Sequence, residues 1–293
     1  MTTTVALLGA DSMLGKELSR QLTTADLQVI KIGRADHNDV VLDLHSPDLS
    51  MLPKGCRADV LIHCAASFDG SSLAKAASTY EVNAKGCLSV LAMMKALECT
   101  QCVYAGTISS YARFDPAGKS FYGISKAHGE DLLSWGLEKE GGRFCSIRLT
   151  HLYDSYGVCC KHQPWFGRII AYTSRGLALA LPGSDGIRNY LHVVDAARFI
   201  IGAAREKLNG CWPLCHPEQM THEAIAHLAN REFDMGSHIE IDDAKNRFRA
   251  CNYPDSARLF NELNMVPSIT MEAGLHQISE CGAAHLYGPL DVI

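Results

Sequence analysis

Tyr122 and Lys126 stand four residues apart in Tyr122-Gly123-Ile124-Ser125-Lys126. On a helix, that spacing brings a phenol and an ammonium out on one face. A free tyrosine hydroxyl titrates near 10 and is a poor acid or base at neutral pH. A cation one turn away would stabilise the phenolate and draw the group toward the working range. Thr107, at the end of the apolar run Cys102–Ala105, adds a hydroxyl able to orient a substrate oxygen. Taken singly, each residue has a plainer reading: a packed tyrosine, a solvated lysine, a threonine capping a strand. Their order in the chain, after a glycine turn, is what makes them a catalytic set.

That turn is Leu8-Gly9-Ala10-Asp11-Ser12-Met13-Leu14-Gly15. It follows the apolar run Val5–Leu8 and opens a helical pattern. Gly9 permits a tight turn, and Gly15 permits close helix–strand packing. The amides at the head of the helix form an anion site suited to a pyrophosphate. Ser12 stands where a middle glycine is expected, and adds a hydroxyl donor. The second strand ends Ile32-Gly33-Arg34. A guanidinium there suits the 2′-phosphate of NADP, whereas an acid would suit the ribose diol of NAD. NADP is therefore expected, with NAD as the alternative; a solvated surface Arg34 is the plainer reading. Asp43, after the next short strand, is placed either to accept from an adenine amino group or to cap a helix.

Apolar runs and helical patterns alternate through the first half. Strands are expected at 5–8, 27–32, 40–42, 60–63, 102–105 and 144–149, with helices over 13–22, 80–97 and 122–138. Continuously apolar strands between helices predict a doubly wound α/β fold, a parallel Rossmann sheet covered on both faces. After Leu152 the chain becomes turn-rich and its strands shorten. Residues 1–155 are read as a dinucleotide-binding domain. Residues 190–207 return to it as a strand and helix, and 156–293 form a smaller, mixed, interleaved substrate-binding part.

The 293 residues are 47% hydrophobic and 20% charged, an ordinary balance for a globular protein. Net charge is −5 without a basic cluster, which argues against nucleic acid or a membrane surface as partner. No signal peptide or membrane span is expected, and a cytoplasmic protein is. Twelve cysteines include the CxxC pair Cys99 and Cys102, but no second pair completes a zinc site. Reduced, packed thiols and no metal are the expectation.

These pieces together resemble the extended short-chain dehydrogenases/reductases, the sugar-nucleotide epimerases, dehydratases and reductases. Gly9-x-x-Ser12-x-x-Gly15 resembles their glycine signature, and Ile62-His63-Cys64-Ala65-Ala66 a strand-end segment lining the cofactor. Asn83 matches their helix asparagine, Thr107 their strand-end Ser or Thr, and Tyr122 and Lys126 their catalytic pair. Arg148-Leu149-Thr150-His151-Leu152-Tyr153 and Arg188-Asn189-Tyr190-Leu191-His192-Val193-Val194-Asp195 resemble two further segments. The resemblance implies that Asp11, Ser12, Met13, Leu14, Leu44, Cys64, Ala65, Ala66, Asn83 and Leu149 line the cofactor together with the catalytic pair. It implies that Lys126 also holds the nicotinamide ribose. It implies that Thr107, His151 and Arg188 face a small-molecule substrate, with Arg188 toward a nucleotide. A homodimer through helices 80–97 and 122–138 is a further implication.

The chain departs from the family in three places. His151 replaces an asparagine, and is either a substrate contact or a core histidine. Only fourteen residues separate Thr107 from Tyr122, a short loop for a sugar-nucleotide enzyme. Thr107 is followed by Ile108-Ser109 rather than the acidic pair of 4,6-dehydratases, which disfavours elimination. The expected function is hydride transfer to or from a carbonyl or alcohol carbon, with Tyr122 as acid/base. The substrate would be a keto-sugar nucleotide or a small carbonyl. An epimerase that retains its nicotinamide and a non-catalytic dinucleotide sensor are the alternatives.

Overall fold

The structure is a computed structural model and describes residues 3–25, 27–113, 120–183, 186–248 and 251–290. By its internal contacts the chain forms two compact units. The first comprises Met1–Leu149, Ala196–Leu214 and Ala257–Met265; the second comprises Thr150–Asp195, Cys215–Ser256 and Val266–Ile293. The division falls at 149/150 rather than 155, and 257–265 clusters with the first unit.

Elements of the first half follow the expected alternation: β1 (Thr4–Leu8), α1 (Met13–Thr24), β2 (Gln28–Gly33), β3 (Val40–Val41), β4 (Val60–His63), α2 (Leu73–Tyr80), α3 (Gly86–Ala96), β5 (Gln101–Thr107), α4 (Phe121–Lys139) and β6 (Arg143–Leu149). Then come β7 (His151–Tyr153), α5 (Pro164–Thr173), β8 (Leu179–Pro182), β9 (Ile187–Arg188), β10 (Tyr190–His192), α6 (Val193–Arg205), β11 (Gly210–Leu214), β12 (Met220–Thr221), α7 (His222–Phe233), β13 (Ile239–Asp242), α8 (Ala257–Leu263) and α9 (Met271–Glu280). The main sheet has seven parallel strands in the order β11-β6-β5-β4-β1-β2-β3. Its central strands β4 and β5 are buried along their whole length. They read as unbroken apolar runs because helices cover both faces and neither face has to be polar. The doubly wound Rossmann sheet is thus present.

Two expectations are corrected. The helix expected over 80–97 is α2, a wide π turn over Glu81–Lys85, and α3. Within the π turn the buried Asn83 side chain grips Ser67: its Nδ2 donates to the Ser67 carbonyl at 2.7 Å, and its Oδ1 accepts from the Ser67 amide at 2.8 Å. Second, Tyr190 does not begin a strand of the main sheet. β10 pairs with β7 in a separate two-stranded sheet, and β11 is the strand that joins the main one. β11 contains Pro213, which an edge strand tolerates because one row of its amides is unpaired.

In the second unit, β12 pairs with β9 and β13 with β8. Its core is aromatic: Tyr153, Phe166 and Tyr190 lie with ring centroids 5.0 to 6.4 Å apart. Asp195 accepts from the amides of Ser268 and Ile269 at 2.8 and 2.9 Å.

Candidate active site

The glycine turn is built as its sequence implies. Gly9 has φ +92°, and a Cβ there would run into the backbone of Cys64 and Ala65. A Cβ on Gly15 would collide with the Gly9 carbonyl. Only glycine fits either position, so β1, the head of α1 and the end of β4 close together. Ser12 is the N-cap: its Oγ accepts from the Gly15 amide at 2.9 Å. The hydroxyl expected as a spare donor donates to the Cys64 sulfur at 3.7 Å. Met13 and Leu14 head the helix beside it. Cys64 donates to the Leu8 carbonyl at 3.2 Å, and burial pushes its thiol up to about 11, so it packs as a neutral group. Leu44 and Leu149 are buried; Ala65 and Ala66 are half-buried at the end of β4. This cradle, shaped for close backbone approach, fits a dinucleotide pyrophosphate.

Asp43 caps no helix. Its Oδ1 accepts from the His45 amide at 2.9 Å in a tight turn, and the following short 3₁₀ helix is capped by Asp48 instead. Arg34 is exposed at the end of β2.

Tyr122 is the second residue of α4, which is capped by Ser120 on the Gly123 amide at 3.0 Å. Gly123 passes so near the Ser109 carbonyl that a side chain would clash, seating the helix head against the chain leaving β5. Thr107 is buried at the end of β5, where its Oγ1 accepts from the Ser109 amide at 3.2 Å and its hydroxyl acts on the Tyr122 phenol. The loop between them includes 114–119, which lies outside the described residues. Asn83 is drawn into the same arrangement. Its Nδ2 also reaches Ser125 Oγ at 3.0 Å, and that hydroxyl donates to the Tyr122 carbonyl at 2.9 Å.

Lys126 departs from expectation in one respect. It is buried to 1% exposure, and its Nζ lies over the Tyr104 ring, 3.9 Å from the centroid. Burial draws its ammonium down to about 8. Burial likewise pushes the Tyr122 phenol up, and the Thr107 hydroxyl, not Lys126, is what opposes that rise. The phenol thus keeps its proton across the neutral range.

Three features were missed from sequence. Phe68 stacks on the Tyr122 ring, centroids 4.7 Å apart and planes 23° from parallel. Glu130, one turn beyond Lys126, is buried and takes Arg148 Nε at 3.1 Å together with Ser146 Oγ. Burial favours its neutral form, but those bonds outweigh it and hold the carboxyl below the ordinary range. The spacing Tyr122, Lys126, Glu130 on one helix face was the available signal. The pair clamps α4 to β6, and Gly106 leaves room for it, since a Cβ there would strike Ser146 Oγ. Third, His63 is buried with both ring nitrogens unpartnered; burial and the nearby Lys126 charge hold it neutral.

His151 and Arg188 lie in the second unit. His151 Nδ1 is 3.2 Å from the Asn189 carbonyl, and burial pulls its imidazole down to about 4, so it is neutral. The Arg188 guanidinium lies 5.4 Å from the Phe248 ring centroid. Among the described residues no three His, Cys, Asp or Glu side chains gather as a metal site. No described helix is long and apolar enough to cross a membrane.

No curated protein sequence matches the chain. Solved structures of its fold do. UDP-N-acetylglucosamine 4-epimerase from Bacillus cereus is 20% identical, with TM-score 0.80 over 96% of this chain and 99% of that one. RMD from Pseudomonas aeruginosa complexed with NADPH is 20% identical, TM-score 0.80, over 97% and 98%. The Bordetella bronchiseptica enzyme WbmF in complex with NADH is 17% identical, TM-score 0.76, over 96% and 92%. Residues 5–211 match the NAD dependent epimerase/dehydratase family. With that match spanning most of its length, the chain belongs to the NAD dependent epimerase/dehydratase family, as an NAD(P)-dependent enzyme of the extended short-chain dehydrogenase/reductase type.

Proposed function

We propose that the protein catalyses hydride transfer between a nicotinamide dinucleotide and a carbonyl or alcohol carbon, with Tyr122 as the proton donor or acceptor. The observation that carries this is the seating of the head of α4, with Tyr122, against the end of β5, with Thr107, on the same sheet edge as the Gly9–Gly15 cradle. The dinucleotide, NADP with NAD as the alternative, supplies the hydride, which no side chain can. Gly9, the amides heading α1, and the ends of β2 and β4 would hold it. Tyr122 Oη holds the proton that the substrate oxygen gains or loses. Thr107 Oγ orients that oxygen, and Asn83, through Ser125, keeps the helix head in place. Because burial keeps Tyr122 protonated, the resting site is set for reduction, in which the phenol donates.

Neighbours of this fold include UDP-sugar epimerases and an NADPH-bound enzyme. This supports a keto-sugar nucleotide as substrate. Titration with NADPH and NADH, then a panel of keto-sugar nucleotides and simple ketones, tests the reading. Stoichiometric consumption of the reduced dinucleotide supports a reductase. Turnover with unconsumed, retained cofactor would support the epimerase instead. Tight dinucleotide binding with no turnover on any substrate would leave a non-catalytic sensor.

A homodimer is the second part of the proposal. α3 and α4 pack closely, with Gly136 leaving no room for a Cβ beside Leu91. Their outer face shows Leu88 at 53% and Trp135 at 64% exposure. Pairing two such faces would remove both side chains from water. Each fully buried large side chain contributes about 1.5–3 kcal/mol. Trp135→Glu is expected to convert a dimer to a monomer in light scattering at micromolar concentration. A wild-type protein already monomeric there would dispose of the idea.

A further inference from the structure

The end of β2 carries an acid that the linear order of residues does not show. β1 and β2 are paired neighbours, Leu8 opposite Ile32. The turn after β1 therefore lies beside the turn after β2. Asp11, from the first turn, reaches across to the second. Its Oδ2 accepts from the Arg34 amide at 3.1 Å, the Ala35 amide at 3.3 Å and Asn38 Nδ2 at 2.9 Å. His37 Nε2 stands 3.0 Å from its Oδ1. Gly33 has no side chain because Asp11 Oδ2 and Asn38 Nδ2 fill the place a Cβ would take. Burial favours the neutral acid, but the bonds from Asn38, Ala35 and Arg34 and the His37 side chain together outweigh it, so Asp11 is ionised at neutral pH. Of the other acids in this loop, Asp36 is exposed and Asp39 accepts from the Lys31 amide at 2.8 Å.

This loop is where the adenosine ribose of a dinucleotide is distinguished in such folds: a carboxylate suits the 2′-hydroxyl, a guanidinium the 2′-phosphate. The chain presents both. Arg34 is exposed, whereas Asp11 is held through Oδ2 by three hydrogen bonds, with His37 beside its Oδ1.

We propose that Asp11 is a specificity-determining residue of the cofactor site: its carboxylate opposes a 2′-phosphate, offsets the attraction of Arg34, and leaves a site that accepts both NADP(H) and NAD(H). The proposal rests on the cofactor reading above. A 2′-phosphate carries nearly two negative charges, so a fixed carboxylate within several ångströms is repelled appreciably even at surface dielectric. A 2′-hydroxyl carries no charge and meets no such repulsion. The effect is electrostatic and partly exposed, so salt should weaken it.

The test is the ratio of NADPH to NADH dissociation constants, read from the fluorescence of the reduced nicotinamide at low ionic strength. Asp11→Asn keeps an acceptor for the Arg34 and Ala35 amides and removes the charge. It should shift the ratio about tenfold toward NADPH, and the shift should shrink as salt is raised. Arg34→Ala should move the ratio the other way. Asp11→Ser, with a shorter acceptor, carries the same expectation should the asparagine variant fold poorly. If both dinucleotides weaken together and the ratio stays put, Asp11 only shapes the loop and the proposal is overturned. If the wild-type protein binds neither dinucleotide, the cofactor site falls, and this inference with it.

Discussion

Tyr122→Phe is expected to lower kcat by about 10²–10⁴-fold while leaving the affinity for the reduced dinucleotide within about threefold. The substitution removes one oxygen and keeps the ring. The stacked contact with Phe68 and the packing at the head of α4 therefore survive. What is lost is the proton at Oη, on which the Thr107 hydroxyl acts. The residual rate reports what orientation by Thr107 and the bound cofactor achieve without proton transfer. Because burial raises the phenol, wild-type reduction should keep its rate through neutral pH and fall only where the phenol begins to ionise or Lys126 discharges. Lys126 is the first to go, at about 8. A Tyr122→Phe enzyme that turns over at near wild-type rate would remove Tyr122 from the mechanism.

Lys126→Met should abolish measurable turnover and yet stabilise the fold at pH 7. The side chain is buried, and its ammonium is drawn from the ordinary 10.5 down to about 8 by desolvation. That gap corresponds to roughly 3 kcal/mol of preference for the neutral form. The loss of the contact with the Tyr104 ring offsets about 1 kcal/mol of it. A net gain of about 2 kcal/mol implies a Tm rise of roughly 4–8 °C in a chain of this size. The sign with pH follows from the lowered value. The unfolded chain holds this proton more tightly than the folded one, so the destabilisation is complete below pH about 8. It fades between about 8 and 10.5, and is gone above. The difference in Tm between variant and wild type should close over that same window. A variant that melts at or below wild type at pH 7 would show that the buried cation is not a liability tolerated for function.

Much of the sheet was legible because its strands are buried on both faces. Val60–His63 and the run ending at Thr107 have no polar alternation to confuse with a helix or a loop. The glycine turn was legible for a related reason: close backbone approach excludes every residue but glycine at positions 9 and 15, and leaves that mark in the sequence. Cys211 reads as a strand residue, but β11 was not assigned to the main sheet because Gly210 and Pro213 argue against a sheet strand, and only its place at the sheet edge makes them acceptable. The break between α2 and α3 escaped because its cause, Asn83 serving Ser67 and Ser125, lies in residues 16 and 42 positions away.

The tuning of the site was not legible at all. From spacing, Lys126 should lower the Tyr122 phenol; in three dimensions the ammonium turns to the Tyr104 ring, and burial governs both groups. From position, Arg34 alone occupies the end of β2; pairing of β1 with β2 brings the Asp11 carboxylate there as well. Residue order and type determined the layered sheet, the cradle and which side chains stand on one helix face, because those depend on local geometry and on the period of apolar residues. Charge state and cofactor discrimination were decided by the tertiary structure, because solvation and Coulomb interactions depend on distances between segments far apart in the chain.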